Sequence, residues 1–213
     1  MNADIKKTDI KKTDLKKTLP SYAARHGRFN IVDVPPMRDL AADAEGAPDG
    51  ASFAGALEAL FPLAYAVKFA SKRNKDRDYV VPPLEALWWA DDRAAFTTRR
   101  DPSLWNSTAL ILLPEWITDE DVEAAREAVA RKASGAGLAP VRVHVLEEGR
   151  CAQTLHVGPF SEEGPVIEEL HVTLEAAGLE LAGKHHEIYL SDFRRTAPEK
   201  LQTILRQPGR ARG

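Results

Sequence analysis

Glu187 stands in the run Gly183-Lys184-His185-His186-Glu187-Ile188-Tyr189-Leu190-Ser191-Asp192-Phe193, an ionisable group in what otherwise reads as a short apolar strand. An unpaired buried charge is strongly unfavourable, so a carboxylate at this position needs either solvent or a partner. Side chains alternate along a strand, which puts His185, Glu187 and Tyr189 on one face and His186, Ile188 and Leu190 on the other. The apolar pair turns to the core, and Glu187 and Tyr189 face either solvent or a concave pocket. In a pocket, a carboxylate neutralises a cationic guest; with its pKa raised by burial it serves instead as a general base toward water.

Either chemistry calls for apolar walls, and the sequence offers candidates. Trp88 and Trp89 lie on opposite faces of one strand in "LEALWWADD", Trp89 sharing its face with Glu85 and Leu87. Tyr65 and Phe69, spaced i and i+4, share one face of a helix. Each of these aromatics is equally at home in a core. If their faces meet that of Glu187, the product is an aromatic-walled cavity with a carboxylate at its floor, suited to a flat, lipophilic and often cationic molecule. The candidate site is therefore Glu187, Tyr65, Phe69, Trp88, Trp89 and Tyr189, with Glu187 as the candidate catalytic group. In a catalytic reading, Tyr65 or Tyr79 would donate a hydrogen bond to a conjugated carbonyl. No metal or other cofactor is expected: alternation separates His185 from His186, whereas a catalytic metal needs about three convergent ligands. Cys151, within a strand, reads as a small buried apolar residue.

The elements that must position these groups follow from periodicity and punctuation. Phe29 to Val34 and Arg38 to Asp43 read as strands joined at Pro35-Pro36, a hairpin-like opening. Residues 52 to 71 carry apolar groups at helical spacing, with Pro62 expected to kink or divide the helix. Strands follow at Val80 to Trp89 and Thr108 to Leu113. Thr118 opens a helix with a capping-box pattern, and Gly135-x-Gly137 marks its stop. The second half repeats this order: strands Pro140 to Leu146 and Arg150 to Val157 around the turn Glu147-Glu148-Gly149, a helix from Glu162 to Ala177, and a strand from Glu187 to Leu190. Each half reads strand, strand, helix, strand, and Glu85 matches Glu187 in opening an apolar strand that ends near an Asp. Two modules sharing one sheet, with a groove between them, is the economical arrangement.

The chain has 213 residues, 44% of them hydrophobic, enough for one substantial core. A net charge of −3 argues against nucleic acid as main partner. No apolar stretch is read as a membrane span, and the N-terminus lacks a signal peptide's apolar region, so a cytoplasmic location is expected. Residues 4 to 18 repeat a five-residue unit three times, DIKKT, DIKKT, DLKKT. A five-residue step builds no continuous stripe on a helix or a strand, so residues 1–18 are expected to be a mobile leader. Residues 19–208 would form the domain, with modules at about 28–113 and 140–208, and 209–213 a solvated basic tail.

The segments "IVDVPPMRDL", "ALFPLAYAVKFASK", "DYVVPPLEALWWADD", "QTLHVGPFSEEGPVI" and "GKHHEIYLSDFRRTAPEKLQTILRQP" together resemble the GyrI-like small-molecule-binding family in its stand-alone branch. The resemblance runs from about Asp14 to Pro208 and is most specific in the last segment. It implies an α+β fold of two tandem, pseudo-symmetric strand-helix-strand-strand modules sharing an antiparallel sheet with a central ligand groove. In that family the Glu of the "EIYL" strand, here Glu187, lines the ligand pocket. Related domains are effector-binding parts of multidrug-sensing regulators, and some stand-alone members are described as hydrolases that open cyclopropane rings of DNA-alkylating natural products. The resemblance thus implies a lipophilic small-molecule ligand, held for detoxification or sequestration or turned over through Glu187. The two DIKKT copies before Asp14 look like an extension of the family's usual start, and the regulators' helix-turn-helix domain has no counterpart segment.

Overall fold

A computed structural model describes residues 11–92, 99, 101–132 and 140–212. The chain runs β1 (Lys12–Thr13), α1 (Leu15–Thr18), β2 (Asn30–Val34), β3 (Met37–Glu45), α2 (Ala51–Asn74), β4 (Asp78–Tyr79), β5 (Leu84–Trp89), β6 (Asn106–Leu112), α3 (Asp119–Lys132), β7 (Arg142–Leu146), β8 (Gly149–Val157), α4 (Glu163–Ala176), β9 (Leu179–Leu181), β10 (His185–Tyr189) and β11 (Gln202–Ala211). The fold is α+β, as the resemblance implied, and its main sheet is antiparallel.

Sheet order is β2-β8-β11-β10-β5-β6-β3-β7, with β9 beside the end of β11. This order is a palindrome of the two modules about the β10–β5 pair: β2 and β7, the first strands of the halves, each sit at the outer edge of the other half. The expected hairpin is therefore absent. β2 pairs with β8, while β3 pairs with β6 and β7. Pro35 and Pro36 have no N–H to donate and hold the chain extended, so the strand bends across rather than folding back. β7 and β8 make the equivalent crossing at Glu147-Glu148, where Gly149 takes a φ of 63° that other residues avoid.

The helices cover one face of the sheet. α2 packs on β3 and β6, and α4 on β8, β9 and β11. The larger core lies under α2, where Phe53, Ala56, Leu60, Leu63 and Val67 meet Leu40, Ala86, Ala109 and Ile111; a second, built from Leu170, Leu174, Ala152, Leu179 and Leu205, lies under α4. α2 continues through Pro62 instead of dividing there, because the buried face on both sides clamps one helix. By length and composition this helix is apolar enough to cross a membrane, contrary to the reading that no such stretch exists. Here its apolar side packs on the sheet, and its buried Lys68 pairs with Asp78 at 3.1 Å. The capping box of α3 forms as expected, with Thr118 N–H donating to Asp121 and Asp121 N–H to the Thr118 hydroxyl.

Both ends of the chain depart from expectation. Residues 1–10 lie outside the described residues, but from Lys12 onward the expected mobile leader is structured: β1 pairs in parallel with β4, and Leu15 and Leu19 pack beside buried Tyr22, Ile188 and Ile204. The contacts of Leu15 and Leu19 lie on the face of the sheet opposite the helices, over which the N-terminal segment packs. The last residues also belong to the sheet. β11, ten residues long, pairs with β10, β8 and β9, because its alternation continues through Ile204, Arg206 and Pro208. A Cβ at Gly209 would come within 2.6 Å of Leu174 and 3.1 Å of Leu179. Gly209→Ala should accordingly lower unfolding stability by roughly 1–3 kcal/mol, the range of core overpacking; denaturant titration showing no loss would return these residues to a solvated tail.

Candidate functional site

The β10–β5 register sorts the candidate residues between two faces. His185 pairs with Trp88, Glu187 with Ala86 and Tyr189 with Leu84, so these six share the helix-side face. His186 and Ile188, opposite Leu87 and Glu85, point to the other side. With α2 over one module and α4 over the other, the strip between the helices is floored by β5 and β10.

A chain of hydrogen bonds ends on Glu187 in this strip. The Trp88 indole N–H donates to the Tyr189 hydroxyl at 3.1 Å, and that hydroxyl donates to Glu187 Oε2 at 2.7 Å. Burial, then the Glu187 and Glu163 carboxylates, lift the Tyr189 phenol far above its ordinary pKa, so it remains a neutral donor. Glu187 keeps 15% side-chain exposure, and His185 Nε2 stands 3.7 Å from its Oε1. Burial, followed by the neighbouring His171 and His186, pushes His185 down to about 3 and keeps it neutral. Above the carboxylate lies an aromatic rim. Phe160, Tyr189 and Phe193 form an edge-to-face triad with centroids 5.7–6.1 Å apart, and Arg194 lies over Phe61, one turn from Tyr65. Phe160 and Tyr65 are 36% and 47% exposed. The arrangement is a carboxylate floor with ring walls, able to hold a flat cation or direct a water molecule.

The opposite face holds a buried ionic network where the two bent strands cross. His186 lies between two carboxylates, 2.9 Å from Glu85 and 2.9 Å from Glu148. Arg206 donates to Glu148 at 2.7 Å, to Gln153 at 3.1 Å and to the Ser21 carbonyl at 2.6 Å, and the Tyr22 hydroxyl donates to Glu85. Burial alone would push His186 down, but Glu148 and Glu85 raise it to about 9; burial opposes ionisation of Glu148 too, yet His186 and Arg206 lower it to about 2. Asp39, also lining this space, is raised by burial and by Glu85. The cavity at the centre of the network is about 10 Å³, scarcely one water molecule, so it offers no room to an aromatic guest.

A family model for the GyrI-like small molecule binding domain matches residues 28–208. The chain belongs to the GyrI-like family. Among solved structures, an uncharacterised conserved protein from Listeria innocua is 38% identical, with 93% of this chain and 100% of that one covered and a TM-score of 0.85. A hydrolase from Listeria innocua is 36% identical, with 94% and 100% covered and a TM-score of 0.83. The C-terminal domain of EcmrR, only 10% identical, shares the fold alone over 87% of this chain and 98% of that one, with a TM-score of 0.51. No curated protein matches in sequence.

Within this GyrI-like domain the structure brings together Glu187, Tyr189 and Trp88, with Tyr65 at the rim. Phe69, 6.3 Å from Tyr65, lies one turn farther along α2 under the Lys68 ammonium. Trp89 is on the opposite face, its ring beneath the Lys184 ammonium at 3.1 Å, because the strand reverses at each residue. Tyr79 is 2% exposed and packs edge-on to Trp116, away from the groove. Glu85 is not the counterpart of Glu187: antiparallel register sets it opposite Ile188, on the network side. Cys151 is fully buried, its thiol pushed up to about 12 by burial first, then by Glu148. His185 and His186 diverge as strand alternation requires, and no group of three metal-ligating side chains converges among the described residues. Sequence reasoning missed Phe160, Phe193 and Arg194 at the rim, and Glu148 and Arg206 in the network. Phe160 follows Gly158-Pro159 in a connection, and Phe193 follows Asp192, where no periodicity marks a facing direction.

The network makes stability depend on pH. His186 binds its proton more tightly folded than unfolded, so its contribution is fully present below the ordinary histidine value and is lost as pH rises through about 9. Unfolding free energy should fall between roughly pH 6.5 and that value, and His186→Gln should flatten this slope. Chemical denaturation at stepped pH would contradict the assignment if the variant kept the wild-type alkaline loss.

Proposed function

We propose that the chain binds lipophilic, aromatic or cationic small molecules in the groove between its two modules, for sequestration or detoxification. The carrying observation is the Trp88–Tyr189–Glu187 hydrogen-bond chain beneath the rim of Phe160, Phe193, Phe61 and Tyr65. Membership in a small-molecule-binding family supports a ligand, and the groove's chemistry favours its class: ring faces attract a cation, and Glu187 neutralises it where water is scarce. Tyr189 holds the carboxylate toward the groove without cancelling its charge.

A second reading is hydrolysis of an electrophilic strained ring, the cyclopropane of alkylating natural products. Two Listeria innocua relatives, 35% and 36% identical, are named as hydrolases, which favours hydrolysis; the strained ring is the substrate class we propose for it. Glu187 would take a proton from water as the new C–O bond forms. The breaking C–C bond would deliver its electron pair to a conjugated carbonyl, and that oxygen or carbon would then be protonated. Tyr65, at the rim, is the better-placed donor; Tyr79 is committed to the core.

Replacing Glu187 by Gln removes the charge while preserving shape. Affinity for a fluorescent lipophilic cation should fall by roughly 1–3 kcal/mol, with apo stability changed little. Any turnover of a cyclopropane electrophile should fall further than binding does. A variant that is markedly destabilised yet binds cations as before would make Glu187 a structural partner of Tyr189 and remove the basis of both readings.

A further inference from the structure

His185 is a polar side chain that the fold leaves unused. It occupies the helix-side face of β10 beside Glu187, only 9% exposed, and neither ring nitrogen has a hydrogen-bond partner. A buried imidazole without partners forfeits the hydrogen bonds it made to water. The geometry around it suggests what would restore them. Tyr189 engages Oε2 of Glu187, and Oε1 is the oxygen that stands 3.7 Å from His185 Nε2. That separation is too long for the two groups to bond each other. One nitrogen about 2.8 Å from each can bridge two acceptors at that separation; both His185 ring nitrogens are closed to solvent in this structure, so the bridge forms when the imidazole turns toward the groove.

We infer that His185 and Glu187 form a paired acceptor selecting cations with at least two N–H bonds, such as protonated primary or secondary amines and amidinium groups, over peralkylated cations. This deepens, and rests on, the reading of the groove as a ligand site. One N–H of the guest points to Glu187 Oε1 and the other to the lone pair of a neutral imidazole. His185 remains neutral because burial, with His171 and His186 beside it, opposes a second positive charge there, so the imidazole adds no positive charge beside Glu187. A trimethylammonium or phosphonium head would still be neutralised by Glu187 and the aromatic rim, but it would leave His185 unpaired.

The part of the preference that depends on His185 is diagnostic. A primary ammonium is more strongly hydrated than a peralkylated cation and costs more to desolvate, and its N–H bond to Glu187 offsets part of that cost. A second acceptor adds a bond that the peralkylated cation cannot make. A pyrene-methylammonium probe and its N-trimethyl counterpart, titrated by fluorescence at neutral pH, present the same ring and charge with different numbers of N–H bonds. Wild type should favour the primary ammonium by roughly tenfold to a hundredfold, the worth of pairing an otherwise unsatisfied buried group. His185→Met should abolish or invert that preference while retaining affinity for the trimethyl probe, and His185→Asn, which keeps an acceptor, should preserve part of it. Equal binding of the probes by wild type, or an undiminished preference in His185→Met, would overturn the inference while leaving the groove as a binding site. If wild type bound neither probe, the groove reading and this inference would fall together.

Discussion

The antiparallel pairing of β10 with β5 at the centre of the sheet is the constraint on which the rest depends. It fixes Glu187 opposite Ala86 and His186 opposite Leu87, and a strand allows neighbouring side chains no choice but opposite faces. Two adjacent ionisable residues thereby acquire unrelated environments. His186 is sealed between two carboxylates, whereas Glu187 retains partial exposure beneath an aromatic rim. A one-residue slip would exchange them, burying the groove's carboxylate in the network and turning the network's imidazole to the helices.

The network explains why such a slip is penalised. Glu148 stands at the bend between β7 and β8, Arg206 comes from β11 and Glu85 from β5, so the ion pairs tie strands of both modules to one register. Buried charges of this kind add little net stability over apolar packing, but removing one partner leaves another uncompensated. Arg206 and Gln153 also bond the carbonyls of Ser21 and Ala23, holding the N-terminal segment across the face opposite the helices. With that segment over the opposite face, the groove between α2 and α4 is where the two modules leave a carboxylate and aromatic side chains near solvent.

Much of this was legible in the sequence. Alternation correctly divided His185, Glu187 and Tyr189 from His186 and Ile188, and the α+β fold is the one that the resemblance to the GyrI-like family implied. What escaped the reading was non-local. The crossing of β2 and β7 into opposite halves depends on pairings far apart in sequence, which Pro35-Pro36 permits but does not specify. β11 was hidden because Arg206, Gln207, Pro208 and Gly209 look like a solvated terminus unless the acceptors of Arg206 are known. Glu148 resembled a turn residue for the same reason, and Trp89 was grouped with the groove although its alternation from Trp88 sends it away.

The central claim is that ligand enters between the modules on the helix side, over β5 and β10, with its charge at Glu187. A crystal structure of the chain with a lipophilic aromatic ammonium tests this most directly. The account predicts the ring system between α2 and α4 against Phe160, Phe193 and Tyr65, with the nitrogen within hydrogen-bond reach of Glu187. Ligand seated instead on the opposite face, displacing Tyr22 from Glu85, would contradict it.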